Sequence, residues 1–103
     1  MIYDDGELLI QGFDLRNSLV VEISFPDILV VRLSDEGVRL RLLDELGAFN
    51  PFVIIDEESQ LLGWIQEESL HTRNTGLAKH FVIFAGEEIY DVVSFTEPRI
   101  SAK

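Results

Sequence analysis

Apolar and polar positions alternate with a period of two along much of the first third of the chain. Leu19, Val21, Ile23 and Phe25 fall on one face and Glu22 and Ser24 on the other, which predicts a half-buried strand over 18–25. Leu8 and Ile10 share a face in the same way within a strand over 7–13, where Gly12 marks a bulge or bend. Pro26 has no amide proton to give a ladder and ends the second strand. The β-branched run Ile28–Leu33 follows as a third. Beyond the turn Asp35-Glu36-Gly37, the alternation of Val38, Leu40 and Leu42 predicts its hairpin partner, with Gly37 as a G1 bulge. The rival reading is a helix over 36–46, stopped by Gly47, since Leu42, Leu43 and Leu46 have helical spacing. A strand to Leu42 followed by one helical turn satisfies both patterns.

Asn50-Pro51 breaks the chain, and the stretch behind it organises the second half. Phe52–Ile55 is apolar, Asp56–Ser59 is a polar turn, and Leu61–Ile65 is apolar again and carries the only tryptophan, Trp64. That order predicts a central β-hairpin. The polar residues 66–76 read as a surface loop, pinned by Leu70. His80–Phe84 is apolar on both faces and predicts a central strand, within 78–85, covered on both sides. Ile89–Phe95 is its partner across the turn at 86–88. Residues 1–6 read as a lead-in, Pro98 as the close of the ordered core and 101–103 as a frayed end. The sum is a mainly β fold: one domain over 1–103, an antiparallel β-sandwich or partly open barrel of about seven to eight short strands, with at most one short helical turn.

Composition narrows the function classes. At 103 residues and 47% hydrophobic, the chain can bury one core. With no cysteine it has neither disulfides nor thiolate metal ligands, which fits a reducing compartment. The N-terminal residues MIYDDGELL carry acids where a secretory signal has bases, and no apolar run approaches the roughly 20 residues that span a bilayer. A cytoplasmic protein is expected. The net charge of −11, from 19 acids and 8 bases, opposes nucleic acid and anionic membranes. It favours a basic protein partner or serves solubility alone.

Most acids cluster at predicted turns: Asp4-Asp5, Asp35-Glu36, Asp44-Glu45, Asp56-Glu57-Glu58, Glu67-Glu68 and Glu87-Glu88. Adjacent solvated carboxylates lack the opposed geometry of a catalytic acid pair. Asp56–Ser59 lacks the ligand spacing and glycine of a calcium loop. His71 and His80 are nine positions apart with no third ligand of clear type, so no metal site is predicted. Asp91 can meet His80 across their hairpin and Ser94 lies nearby, but no G-x-S-x-G elbow accompanies them. The glycines form no phosphate cradle and the bases no stripe. These absences predict a non-enzymatic protein with no cofactor. Trp64 reads first as a core anchor and, if exposed, as an interface hot spot between two acidic clusters.

Asn50, Phe52, Asp56, Trp64 and Ile65 together resemble a hairpin of the form N-x-F-x-x-D-x-x-G-x-x-x-W-x-I found in a group of small, mostly uncharacterised bacterial proteins. Ser59 stands where that motif has its turn glycine, and Trp64 comes one residue late. Some members look like immunity proteins of contact-dependent or polymorphic toxin systems. The resemblance implies a β fold and no catalytic residues. Joined to the charge, it gives the expectation of an immunity protein or inhibitor masking a basic toxin or nuclease. Asp56, Glu57, Glu58, Trp64, Glu67 and Glu68 are the contact residues expected. The alternative is a structural or assembly subunit that self-associates through a β edge or apolar patch.

Overall fold

The structure is a computed structural model that describes residues 1–4, 7–14, 19–46, 53–71, 76–85 and 88–102. Among the described residues, eight strands form two antiparallel four-stranded sheets. The first sheet holds β1 (Ile2–Asp4), β2 (Glu7–Asp14), β3 (Leu19–Phe25) and β8 (Arg99–Ala102), in the order β1-β2-β3-β8. The second holds β4 (Ile28–Asp35), β5 (Val53–Asp56), β6 (Lys79–Ala85) and β7 (Glu88–Ser94), in the order β4-β7-β6-β5. The sheets do not close, so the sandwich is the form adopted and the barrel is not.

The chain passes from one sheet to the other at Pro26-Asp27, between β3 and β4. Ser94 at the end of β7 fastens this corner by donating its hydroxyl to the Asp27 carbonyl at 2.5 Å. The alternation read in β2 and β3 places Leu8, Ile10, Val21, Ile23 and Phe25 in the inter-sheet core. From the second sheet, Phe81, Ile83, Tyr90 and Val92 meet them. Phe25 and Phe81 pack as a tilted pair with centroids 5.3 Å apart. β2 pairs with β3 in unbroken register from Leu8 to Asp14, so Gly12 marks no bulge. The register irregularity lies instead in β4, between Ile28 and Val30.

The central strands of the second sheet, β6 and β7, are buried on both faces, as the unbroken apolar run in β6 predicts. The outer face of this sheet is covered by a helix, α2 (Gln60–Glu68). Leu61 and Ile65 of α2 pack on Val93 and Ala78, with Val30 and Leu62 at the margin. Residues 61–65 are therefore a helix and not the second arm of the predicted hairpin. A strand that buried Leu61 and Ile65 would bury position 63 with them, yet Gly63 is exposed. Two buried residues four apart make a single stripe on a helix. Ser59 caps the helix by accepting the Leu62 amide at 3.1 Å.

The predicted strand over 38–42 also gives way. A 3-10 turn at Glu36–Val38 leads into a helix, α1 (Leu40–Leu46), closer to the competing helical pattern. The two helices exceed the single helical turn expected. Gly47, Asn50 and Phe52 lie outside the described residues, as do 72–75 of the predicted loop. The first part of that loop belongs to α2, and Leu70 does not pin it, being 82% exposed. Residues 2–4 and 99–102 are in strands: β1 pairs with β2, and β8 pairs with β3 through Ala102, so neither 2–4 of the lead-in nor 101–102 is loose.

Candidate functional site

A row of polar side chains crosses the outer face of the second sheet. The register sets it up. Asp56 of β5 lies opposite His80 of β6, and Asp91 of β7 lies opposite Arg32 of β4. His80 and Asp91 are diagonal neighbours, since His80 pairs with Val93, two residues on. All four strands thus contribute a polar residue to one row across this face.

The row is closely bonded. Asp91 is fully buried, and its Oδ1 lies 2.7 Å from His80 Nε2. Its Oδ2 accepts from Arg32 Nε at 3.1 Å and from an Arg39 terminal nitrogen at 2.5 Å. Arg39 reaches in from the link between the 3-10 turn and α1. At the other end, His80 Nδ1 lies 2.6 Å from Ser59 Oγ and 3.6 Å from Asp56 Oδ2. His80 itself is 3% exposed. Among the described residues no buried side-chain nitrogen or oxygen lacks a partner.

Burial alone pushes the Asp91 carboxyl up, because the charged form loses its water. The hydrogen bonds from His80, Arg39 and Arg32, with the positive charge of Arg39, overcome that and hold it at about 2. Asp91 is therefore a carboxylate throughout the physiological range. In the neutral tautomer that carries its proton on Nε2, His80 donates to Asp91, and Nδ1 then accepts from the Ser59 hydroxyl.

The hairpin pairing read from the sequence does bring His80 and Asp91 together, but Ser94 is not the serine that joins them. Ser94 bonds the Asp27 carbonyl and the Thr96 backbone and takes no part. Ser59 reaches His80 instead, because the helix after it folds back over the sheet. Arg32 and Arg39 carried no local signal, being 59 and 52 positions from Asp91. His71 is exposed and sits with Leu70 in the left-handed region at the end of α2, at φ 63° and 53°. The amides of Ser69, Leu70 and His71 close this end on the carbonyls of Ile65, Glu67 and Gln66. Among the described residues no group of three or more His, Asp or Glu is placed to hold a metal ion.

The predicted contact residues gather around α2. Glu57 and Glu58 are exposed at the turn before it, and Glu67 and Glu68 at its last turn. Trp64 projects from the helix at 51% exposure, so its reading as a core anchor is overturned. On a helix, Gln60, Glu67 and Glu68 are its neighbours at i−4, i+3 and i+4. Asp56 differs from the others. Its Oδ1 accepts the Glu58 amide at 3.0 Å and its Oδ2 faces His80, so it braces the turn.

A shallow groove of about 360 Å³ lies apart from this region, between Glu7, Phe25 and Arg99 on the first sheet. No helix among the described residues is long and apolar enough to cross a membrane. The chain matches no protein-family model, no curated protein and no solved structure.

Proposed function

We propose that this chain is an acidic protein-binding domain that masks a basic partner, in the manner of a cytoplasmic immunity protein or inhibitor directed at a toxin or nuclease. One observation carries the reading: the only tryptophan stands half in solvent on the outer side of α2, between two pairs of exposed glutamates. A tryptophan brings a large apolar area, and leaving it in water forgoes a substantial hydrophobic gain. Such a side chain in the middle of a charged face suits a desolvated contact in a complex. The net charge of −11 would steer a basic partner toward it, and the glutamates would form the polar rim. The binding residues of this reading are Glu57, Glu58, Trp64, Glu67 and Glu68, with Asp56 supporting the turn that carries the first two.

The test is capture from a lysate of the source organism, followed by kinetics on the purified pair. The reading expects one stoichiometric basic partner, with an association rate that falls roughly tenfold or more from low to high salt. Trp64→Ala should then weaken binding by about 30-fold or more, as truncation of a central anchor does. Recovery of the chain alone, or only with copies of itself, would count against masking and favour the assembly-subunit alternative.

A further inference from the structure

The polar row on the second sheet has a chemistry that partner binding does not use. We propose that Ser59 is a base-activated nucleophile that accepts the acyl group of small neutral or cationic esters, with His80 as its general base. Asp91, Arg32 and Arg39 are positioning residues behind it. This activity does not depend on the masking of a basic partner.

Three observations converge on Ser59. The first is the order of the proton-bearing atoms. Ser59 Oγ lies 2.6 Å from His80 Nδ1, and His80 Nε2 lies 2.7 Å from Asp91 Oδ1. A nucleophile within hydrogen-bond reach of a base, and a base oriented by a third group, is the arrangement that activates a hydroxyl. The imidazole is used in the sense opposite to the usual one, with the carboxylate on Nε2 and the serine on Nδ1, but the proton path is the same. Arg32 and Arg39 bond the second oxygen of Asp91 and so hold the carboxylate plane in place.

The second is the place of Ser59 in the chain. It is the N-cap of a nine-residue helix, and its hydroxyl takes the amide of Leu62. The amides of Gln60 and Leu61 have no intrahelical carbonyl to bond, and they sit at the positive end of the helix dipole. The amide that follows a nucleophile is a recurrent donor to the oxyanion of acyl transfer.

The third is the surroundings. Asp56 Oδ2 lies 3.6 Å from His80 Nδ1, so an imidazolium formed there would be flanked by two carboxylates. Glu57, Glu58 and Gln60 are exposed on either side of Ser59, which lets a small acyl donor approach from solvent. Asp56, Glu57 and Glu58 together repel anionic donors, and this sets the substrate class.

In the acylation step, Ser59 Oγ bonds the carbonyl carbon and its proton passes to His80 Nδ1. The alkoxide or phenoxide leaves with the electron pair of the broken ester bond and takes up that proton. Water then attacks the acyl-serine, gives a proton to Nδ1, and the carboxylic acid departs as the serine recovers its proton. The sum is ester hydrolysis, with no further reactant.

The test is incubation of the full chain with p-nitrophenyl acetate and, separately, with a neutral fluorophosphonate, read by peptide mapping. Modification is expected at Ser59 on the order of 100-fold faster than at Ser69 or the exposed Ser101, the gain a positioned general base supplies. The rate should fall on the order of 100-fold in His80→Gln, which removes the base. It should vanish in Ser59→Gly, which keeps a residue accepted at an N-cap and whose fold near-ultraviolet circular dichroism checks. Modification of Ser59 no faster than of Ser69 and Ser101 would overturn the proposal. An unchanged rate in a folded His80→Gln would do the same, because His80 would then play no part. A positive result would also end the expectation of a non-enzymatic chain, which rested on motifs that Ser59 does not belong to.

Discussion

Replacing Asp91 by asparagine probes the centre of the polar row. The substitution keeps the shape of the side chain and removes its charge. His80 and both arginines lose a charged acceptor at one stroke, and the new amide places two donors where donors already point. Removing one partner of a buried ion pair costs about 3–5 kcal/mol. Here the Arg32 side chain is half exposed and can return to water, so a cost at or just below the foot of that scale, about 2–3 kcal/mol, is expected. An independent route gives a similar figure. Each pH unit by which folding depresses a carboxyl is about 1.4 kcal/mol, and Asp91 falls from 3.8 to about 2, a contribution of ~2 kcal/mol.

The pH dependence has a definite sign. The folded-state value lies below the unfolded one, so the stabilisation is fully present above about 4 and is lost progressively as pH falls toward about 2. The variant has no such carboxyl to protonate. Urea unfolding of both proteins at neutral pH, and at steps down through this window, reads the difference directly. The remaining acids titrate in both proteins and cancel to first order. A gap of about 2–3 kcal/mol at neutral pH that narrows toward acid is the expected result. A gap under about 0.5 kcal/mol at neutral pH, or one that stays constant down to the acid limit, would refute the account of Asp91 as a charge stabilised in place.

Other parts of the structure predict further outcomes. Gly63 lies in α2 with open space around an added Cβ, so Gly63→Ala should raise stability by about 0.5–1 kcal/mol in a thermal or urea melt. Ile65→Ala should cost about 2–4 kcal/mol and, by hydrogen exchange, loosen the amides of α2 before those of β6 and β7. Phe25→Ala removes a fully buried ring from the inter-sheet core and should cost about 3–5 kcal/mol, with loss of near-ultraviolet signal. Deleting residues 99–103 strips β8 from β3 and should lower the melting temperature and promote concentration-dependent association through the bared edge, whereas a frayed tail would leave both unchanged.

The strands were legible where burial is one-sided or complete. In β3 the alternation of Val21, Ile23 and Phe25 with Glu22 and Ser24 is the burial pattern itself, and in β6 the lack of alternation reports two covered faces. Short apolar runs were harder to read. Leu61–Ile65 is five residues long, and at that length periodicity alone does not separate a strand from a helix. The deciding signals were Ser59 as a cap just ahead of it and a glycine at its centre, 63, where a strand would need a buried side chain. The polar row was half legible for a related reason. His80 and Asp91 are joined by a short hairpin, so their meeting follows from local pairing. Arg32 meets Asp91 only because β4 and β7 pair across most of the chain, and no local pattern encodes that.

The misread helix is also where the two functional proposals meet. As a strand, 61–65 would leave Ser59 in a turn away from His80 and send Leu62 and Trp64 to one face, with Leu61, Gly63 and Ile65 on the other. As a helix seated on Val93 and Ala78, the same residues do two things at once. The N-terminal turn brings the Ser59 hydroxyl to the buried His80, and the helical rotation sends Trp64 outward among Gln60, Glu67 and Glu68. Ser59 depends on the sheet beneath α2, while Trp64 depends on the solvent above it. A change at Trp64 should therefore leave Ser59 labelling untouched, and Ser59→Gly should leave a Trp64-mediated complex nearly intact, provided the helix stays docked. If both properties fell together in each variant, docking of α2 would be the only thing measured. Neither residue could then be assigned a role of its own.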